Sequence, residues 1–301
     1  MARMYRKTGS LKNRFEKLDF ILLIIMTAFA AVIIIPFINV IGVSFSSAKE
    51  YTTSSLLLFP SKPTLRNYAK LFEDGRIYIG YRTTIIFLLL GVPVSIFLTF
   101  SMAYGLSRHD LPGGKVIFFA VLFSMLFNGG IVPLYLLMRQ LHLLNTIWSV
   151  ILAGSINTFY LIVTRTYFQT IPQSLIESAK LDGASEWRIL FQIIIPLSMP
   201  IIATIILFYS VDKWNEYYNA MIFIRNSKIT PLQLILRSIV IDSQAIRDFS
   251  NAADLNNSAK LEFTEGIRMA CVMVVMLPVM CVFPFLQKYF VKGMLIGAIK
   301  S

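Results

Sequence analysis

The sequence predicts an all-α integral membrane protein with six transmembrane helices, on three observations. Of 301 residues, 56% are apolar and only 15% charged, against about 25% charged in an ordinary soluble domain, and the mean hydropathy is +0.68. Six windows free of Asp, Glu, Lys and Arg run 20–48, 83–107, 116–138, 140–164, 189–211 and 269–287, and a span needs about 20 mostly apolar residues. The net charge of +12 sits on an apolar chain. That fits a membrane protein with cationic loops, not a nucleic-acid binder, whose Lys and Arg need a polar surface.

Taken in order, a basic tail at 1–19 carries Arg3, Arg6, Lys7, Lys12, Arg14 and Lys17. Such a run stays in the cytoplasm and sets the orientation. The first window is too long for a signal peptide and has no clean small-residue cleavage site. The spans are placed at 20–46, 80–107, 116–138, 145–164, 191–213 and 267–288. Six spans put both termini inside, the tail at 291–301 included. Lys and Arg divide about evenly between the two sides, so the N-terminal run decides the orientation.

Two windows carry breaks. Asn128-Gly129-Gly130 precedes Pro133 in the third. Either this is a packing kink, or it is a broken helix lining a path, where unpaired backbone groups are tolerated against protein or water. The fourth holds Ser155, Asn157 and Thr158 near its middle, polar groups that face a bundle interior as helix–helix contacts or as pathway lining. Cys271 and Cys281 are ten residues apart, about 15 Å on a helix and too far to pair. Both read as small buried apolar residues. His109 and His142 have no second ligand at metal spacing, so no metal is expected.

The segment 165–190 carries the strongest local signal. After Pro172 a short helix runs through Leu181, and Asp182-Gly183 stops it with a glycine in the left-handed conformation. Ser185 caps the next helix and Glu186 favours its positive end, until Pro196 interrupts it. Leu175, Ile176 and Ala179 form an apolar face on the first helix, expected to dock another protein.

Glu177-Ser178-Ala179, Gly183, Ile193 and Pro196 closely resemble the "EAA" loop of ABC-importer permeases: Glu-Ala-Ala, three residues, Gly, nine residues, Ile, one residue, Leu-Pro. Every spacing is kept, with Ser178 for Ala and Ile195 for Leu. The resemblance implies a coupling helix between spans four and five, with Glu177, Ala179, Asp182 and Gly183 at a cytoplasmic ATPase. Thr64-Leu65-Arg66-Asn67-Tyr68, Trp214-Asn215, Pro231-Leu232-Gln233 and the tail from Lys292 to Lys300 are similar to the carbohydrate branch, especially permeases for uronate-containing oligosaccharides. Arg82-Thr83-Thr84 stand where that branch usually has Asn-Ser.

The implied protein forms half of a translocation pathway for an oligosaccharide in a bacterial plasma membrane. Its implied partners are a second homologous permease, two ATPase subunits and an extracellular solute-binding protein. The chain itself is expected to hold no cofactor, ATP and Mg belonging to the ATPases. Its nearest approach to a phosphate loop, Gly113-Gly114-Lys115, lacks the first Gly and the Ser or Thr. An ion-coupled transporter or channel is the alternative. It would place ionisable residues inside spans, and the six windows hold no Asp, Glu, Lys or Arg. A membrane enzyme would need a nucleophile elbow, a His cluster or paired carboxylates, which are missing. Sugar would meet aromatic faces and amides, and Trp214, Asn215, Glu216, Tyr217, Tyr218 and Asn219 offer both, joined by Asn128 and Asn157. An interfacial aromatic belt is the plainer account of the same cluster. Asp212, Lys213 and Glu216 could form a local ion pair. The outer loop 220–265 is too long for a simple connection. A short amphipathic helix is expected at 232–240, packed on the membrane rim or a partner, then an exposed tip. Asp248, Asn251, Asp254 and Asn256 are the residues placed against the binding protein.

Overall fold

The computed structural model describes residues 17–53, 57–73, 75–108, 110–127, 129–252 and 264–298, the side chains of 17–18, 52–53, 243–252 and 283–298 excepted. Among the described residues all regular structure is helical. The chain forms two compact units, residues 1–70 with 253–273 and residues 71–252 with 274–301.

In the first unit, α1 (Lys17–Ser44) is apolar on every side, and its side chains from Phe20 to Ile35 stand exposed, as in a helix solvated by lipid or another subunit. A short α2 (Ala48–Thr53) follows. Thr64–Tyr68 then closes the end of α1: Asn67 Nδ2 donates to the carbonyls of Ser44 and Ser46, both at 2.9 Å. The Thr64 N–H donates to the Phe45 carbonyl at 2.7 Å, and the hydroxyls of Ser44 and Tyr68 meet at 2.9 Å. A helix end leaves carbonyls unpaired, and here the sequence signature supplies their donors.

The helices that continue the chain are α3 (Arg66–Glu73), α4 (Arg76–Ser107), α5 (Gly114–Leu126), α6 (Ile131–Gln140), α7 (Ile147–Ala153), α8 (Thr158–Phe168), α9 (Gln173–Leu181), α10 (Glu186–Leu197), α11 (Met199–Trp214), α12 (Tyr218–Phe223), α13 (Leu232–Ala252) and α14 (Thr264–Ala298). Among the described residues, three helices are long and apolar enough to cross a membrane: α1 from Asp19, α4, and α14 through Val282. Three bent pairs bring the total to six if each is one span: α5 with α6, α7 with α8 at 53°, and α10 with α11 at 92°.

The helices bend where the sequence interrupts the third expected span, near Gly129-Gly130, and the fifth, at Pro196, and the fourth bends as well. The helix expected at 191–213 turns at Ser198, between Pro196 and Pro200. Neither proline has an N–H to continue the ladder, and each ring crowds the carbonyl four residues back. The span at 145–164 breaks at Gly154–Asn157. That at 116–138 breaks after Leu126 and resumes beyond Gly130, at φ 83°; Asn128 lies outside the described residues. The 220–265 loop is also mostly helix. The amphipathic segment expected at 232–240 is the start of the 21-residue α13. Leu232 and Ile235 are buried, and the Leu232 N–H donates to the Thr84 hydroxyl at 3.0 Å. Its apolar stripe therefore covers this chain's own α4. Of the cysteines, Cys271 is buried, whereas Cys281 is exposed beside Met280 and Val282, on a face the sequence alone could not assign.

Within the second unit, the described residues form these core clusters. Ala103, Leu106, Leu161, Phe168, Ile176, Ile189 and Ile194 join α4, α8, α9 and α10. Val92, Phe100, Ile202, Ile205 and Tyr209 join α4 to α11. Phe87, Val150, Ile151 and Ala220 join α4, α7 and α12.

Candidate functional site

Two polar regions stand in the second unit. The first begins with the break between α7 and α8. Breaking a helix inside a membrane strands carbonyls and N–H groups that lipid cannot satisfy. One face of α11, carrying Tyr209, Asp212 and Lys213 at spacings of three and four, meets them. Lys213 Nζ donates to the carbonyls of Gly154 at 3.0 Å and Ile151 at 3.4 Å. The Tyr209 hydroxyl accepts the Asn157 N–H at 3.0 Å and shares a 2.7 Å hydrogen bond with Thr99 of α4. Tyr160 of α8 donates its phenol proton to Asp212 Oδ2 at 3.0 Å. The Asn157 side chain caps α8, accepting from the N–H groups of Phe159 and Tyr160.

Against this seam lies a cavity of about 390 Å³, lined by Gly154, Ile156, Asn157, Asp212, Lys213, Asn215, Glu216, Tyr217, Tyr218 and Asn219. That volume is within the range of small-ligand sites, about 300–1,000 Å³. The structure brings together Asn157, Asn215, Glu216 and Tyr218 as the sequence suggested. It leaves Trp214 out: the indole packs edge-on against Tyr81, ring centres 6.3 Å apart. Glu216 turns both carboxylate oxygens to Asn219, and Lys213 turns inward, so the Asp212–Lys213–Glu216 ion pair is replaced by separate partners. Asn215 accepts from Gln233 at 3.0 Å, and Arg82 donates to the Lys228 carbonyl at 3.0 Å. The Trp-Asn, Pro-Leu-Gln and Arg-Thr-Thr segments thus knit α4, α11 and α13 together.

Neither Tyr209 nor Tyr160 is marked by the sequence reading, which gives Lys213 only a local ion pair. The uncharged windows stop at 211, one residue short of Asp212, and so hid two ionisable residues of the last turn of α11. A Tyr, Asp and Lys on one face of an otherwise apolar helix was the available signal.

The second region is the elbow α9–α10. The α9 helix follows Pro172, and Gly183 at φ 78° makes the turn. The Ser185 hydroxyl accepts the Arg188 N–H at 3.4 Å, so the stop and cap read from the sequence are where expected. The apolar face is not where expected. Ile176 and Ala179 are buried in the chain's own core, 4% and 9% exposed, because the 3–4 residue stripe of a surface helix serves the nearest apolar bundle first. Leu175, Glu177, Ser178, Asp182 and Gly183 remain exposed, with Leu181 at 90%.

Charges tie the elbow back to the bundle. Lys180 pairs with Glu186 at 2.7 Å and with Asp110 at 3.5 Å. Arg108 pairs with Asp110 at 3.0 Å, and Tyr104 of α4 donates to Glu186. The hydrogen bond from Arg108 holds the Asp110 carboxyl down at about 2, and that with Glu186 raises Lys180. Burial pushes Glu186 up, but Lys180 and Tyr104 outweigh it and the net shift is downward. Of the residues placed against a binding protein, Asp248 and Asn251 lie on α13, not at a loop tip, while Asp254 and Asn256 fall outside the described residues.

Apolar helices long enough to cross a membrane and a polar cavity at a helix break fit a membrane transport protein. The chain belongs to the family of binding-protein-dependent transport system inner membrane components, whose model matches residues 9–296. It is 41% identical to the polygalacturonan/rhamnogalacturonan transport system permease protein YtcP of Bacillus subtilis (strain 168), over 97% of this chain and 100% of that one. It is 40% identical to Protein LplC of the same organism, over 90% of each. Among solved structures, a chain of a bacterial ABC transporter involved in the import of the acidic polysaccharide alginate superposes with a TM-score of 0.83, at 30% identity, covering 92% of this chain and 98% of that one. The protein is therefore an ABC-transporter permease, an inner-membrane component.

Proposed function

We propose that this permease forms half of the path for an oligosaccharide, uronate-containing in type, that an extracellular binding protein delivers. A second homologous permease forms the other half, and two cytoplasmic ATPases drive the cycle. The observation that carries the coupling is the elbow. Ile176 and Ala179 root α9 in the bundle while Glu177, Ser178, Leu181 and Asp182 face outward. A helix anchored on one side and free on the other can pass a push from an ATPase to α4, α8 and α10. The relatives' named substrates, polygalacturonan, rhamnogalacturonan and alginate, support the sugar class. In this reading the elbow is cytoplasmic, both termini lie inside, and ATP closure swings the cavity from inward- to outward-facing. The long outer segment containing α13 reaches the binding protein.

The test is uptake of radiolabelled oligogalacturonide into proteoliposomes holding the complete transporter. Uptake is expected only with binding protein outside and ATP inside, and Leu181→Cys is expected to crosslink to the ATPase. Uptake driven by an ion gradient without ATP would overturn this reading for an ion-coupled one, for which Asp212 and Lys213 at the end of α11 would be the candidates.

A further inference from the structure

Lys213 is 2% exposed, and burying an ammonium among apolar side chains is costly unless it is well paired. Its side chain is nevertheless housed by design of the surrounding backbone. The stem passes Gly91, at the end of a π-helical turn in α4 (Phe87–Gly91); a Cβ there would stand 3.2 Å from Lys213 Cε and 3.3 Å from Cδ. The ammonium ends at Gly154, where a Cβ would stand 3.2 Å from Nζ. Both glycines have ordinary negative φ, −72° and −113°. Alanine would suit either backbone, so what glycine provides at these two places is room for the lysine. Three separate features therefore converge on one side chain: a π-turn with a glycine, a second glycine at the break, and two stranded carbonyls with an ammonium between them.

We propose that Lys213 is a positioning residue of the transport path. Its ammonium holds the break between α7 and α8 in the open form and so sets the stance of Ile156 and Asn157 on the cavity wall. This rests on the reading of the cavity as part of the sugar's path. The chemistry is specific to an ammonium at that reach. A continuous helix would need no such donor, and an apolar residue would leave the Ile151 and Gly154 carbonyls without their charged partner.

The test uses the complete transporter, with Cys271 and Cys281 first changed to Ser and two reporters introduced separately. Ile156→Cys reads the break, and Tyr218→Cys reads the opposite cavity wall. In Lys213→Met, which keeps the stem and loses Nζ, maleimide labelling at 156 is expected to change about tenfold. Labelling at 218 stays within about twofold, and sugar imported per ATP falls about tenfold. Lys213→Gln, which can still donate to one carbonyl, falls between. Gly154→Ala is expected to impair import in the Lys213 background and to be tolerated with Lys213→Met. Gly91→Ala is harmful in both, since methionine still fills the stem. Unchanged labelling at 156 with unchanged import per ATP would overturn the proposal, as would equal harm from Gly154→Ala in both backgrounds. If Lys213→Met does not assemble, Lys213→Gln carries the same measurements with the same deciding outcomes. Protection of Ile156→Cys by added oligogalacturonide tests the cavity separately. Labelling that answers to Lys213 yet is never protected supports the positioning role and removes the cavity from the sugar's path.

Discussion

The seam at the α7–α8 break and the clamp at the α9–α10 elbow are both polar, and both join helices of residues 71–252, but they are built from opposite materials. The seam uses buried groups: Lys213, Tyr209 and Thr99 are almost wholly enclosed, and Lys213 and the Tyr209 hydroxyl meet backbone that lipid cannot satisfy. The elbow uses solvated charges over an apolar root: Lys180, Glu186 and Asp110 have side chains 38%, 53% and 63% exposed. In the first, removing one partner strands another group in a low dielectric. In the second, water takes the lost partner's place. Polar contacts should therefore dominate the energetics at the seam, and apolar burial should dominate at the elbow.

The sharpest way to break that contrast is Ile176→Asp. It puts a carboxylate into the cluster of Leu106, Leu161, Phe168 and Ile189, and a cost above about 4 kcal/mol is expected from an unpaired buried charge. The variant should fail to assemble with the ATPase, as read by co-purification. Wild-type assembly would show that α9 is not rooted there.

Gly183 comes next. At φ 78° a β-branched side chain is strained, although a Cβ there would meet nothing within 4 Å. Gly183→Val is expected to abolish uptake with the protein still in the membrane, while Gly183→Asn, which tolerates the left-handed region, keeps most of it. Equal uptake by both variants would mean that the turn is not conformationally demanding.

Tyr209→Phe sharpens the comparison from the seam side. It removes the hydroxyl between Thr99 and the Asn157 N–H and is expected to cost about 1–3 kcal/mol, seen as a lowered unfolding midpoint of the detergent-purified complex. The smallest effect belongs to the clamp. A double-mutant cycle on Lys180→Ala and Glu186→Ala should give a coupling under about 1 kcal/mol, declining in high salt. Its pH dependence follows from the signs of the shifts. The lowered carboxyls of Asp110 and Glu186 stabilise above the ordinary carboxylate range, and their share is lost as pH falls through it, for Asp110 toward about 2. The raised amine of Lys180 stabilises below its ordinary value, and its share is lost only as pH rises beyond. Stability from the clamp should thus be flat from about pH 5 to 9. A transition near pH 7 in the cycle would point to a group outside it.

Much of this was legible in the residues because it is local. Apolar length marked the membrane helices, Asp182-Gly183 and Ser185 marked the elbow's turn and cap, and the EAA spacing marked the family. These depend on backbone conformation and residue type within a few positions, which a sequence states directly. What only the tertiary structure decided is which face of each helix meets what. Ile176 and Ala179 face the chain's own bundle, not a partner. Trp214 leans on Tyr81 and leaves the cavity to Asn157, Asn215 and Tyr218. Lys213, next to Asp212 and three residues before Glu216 in sequence, turns instead to carbonyls released about 60 residues earlier. The reason is physical. A buried charge goes to whatever the fold has left unsatisfied around it, and the carbonyls at 151 and 154 are unsatisfied only because a different span is broken there.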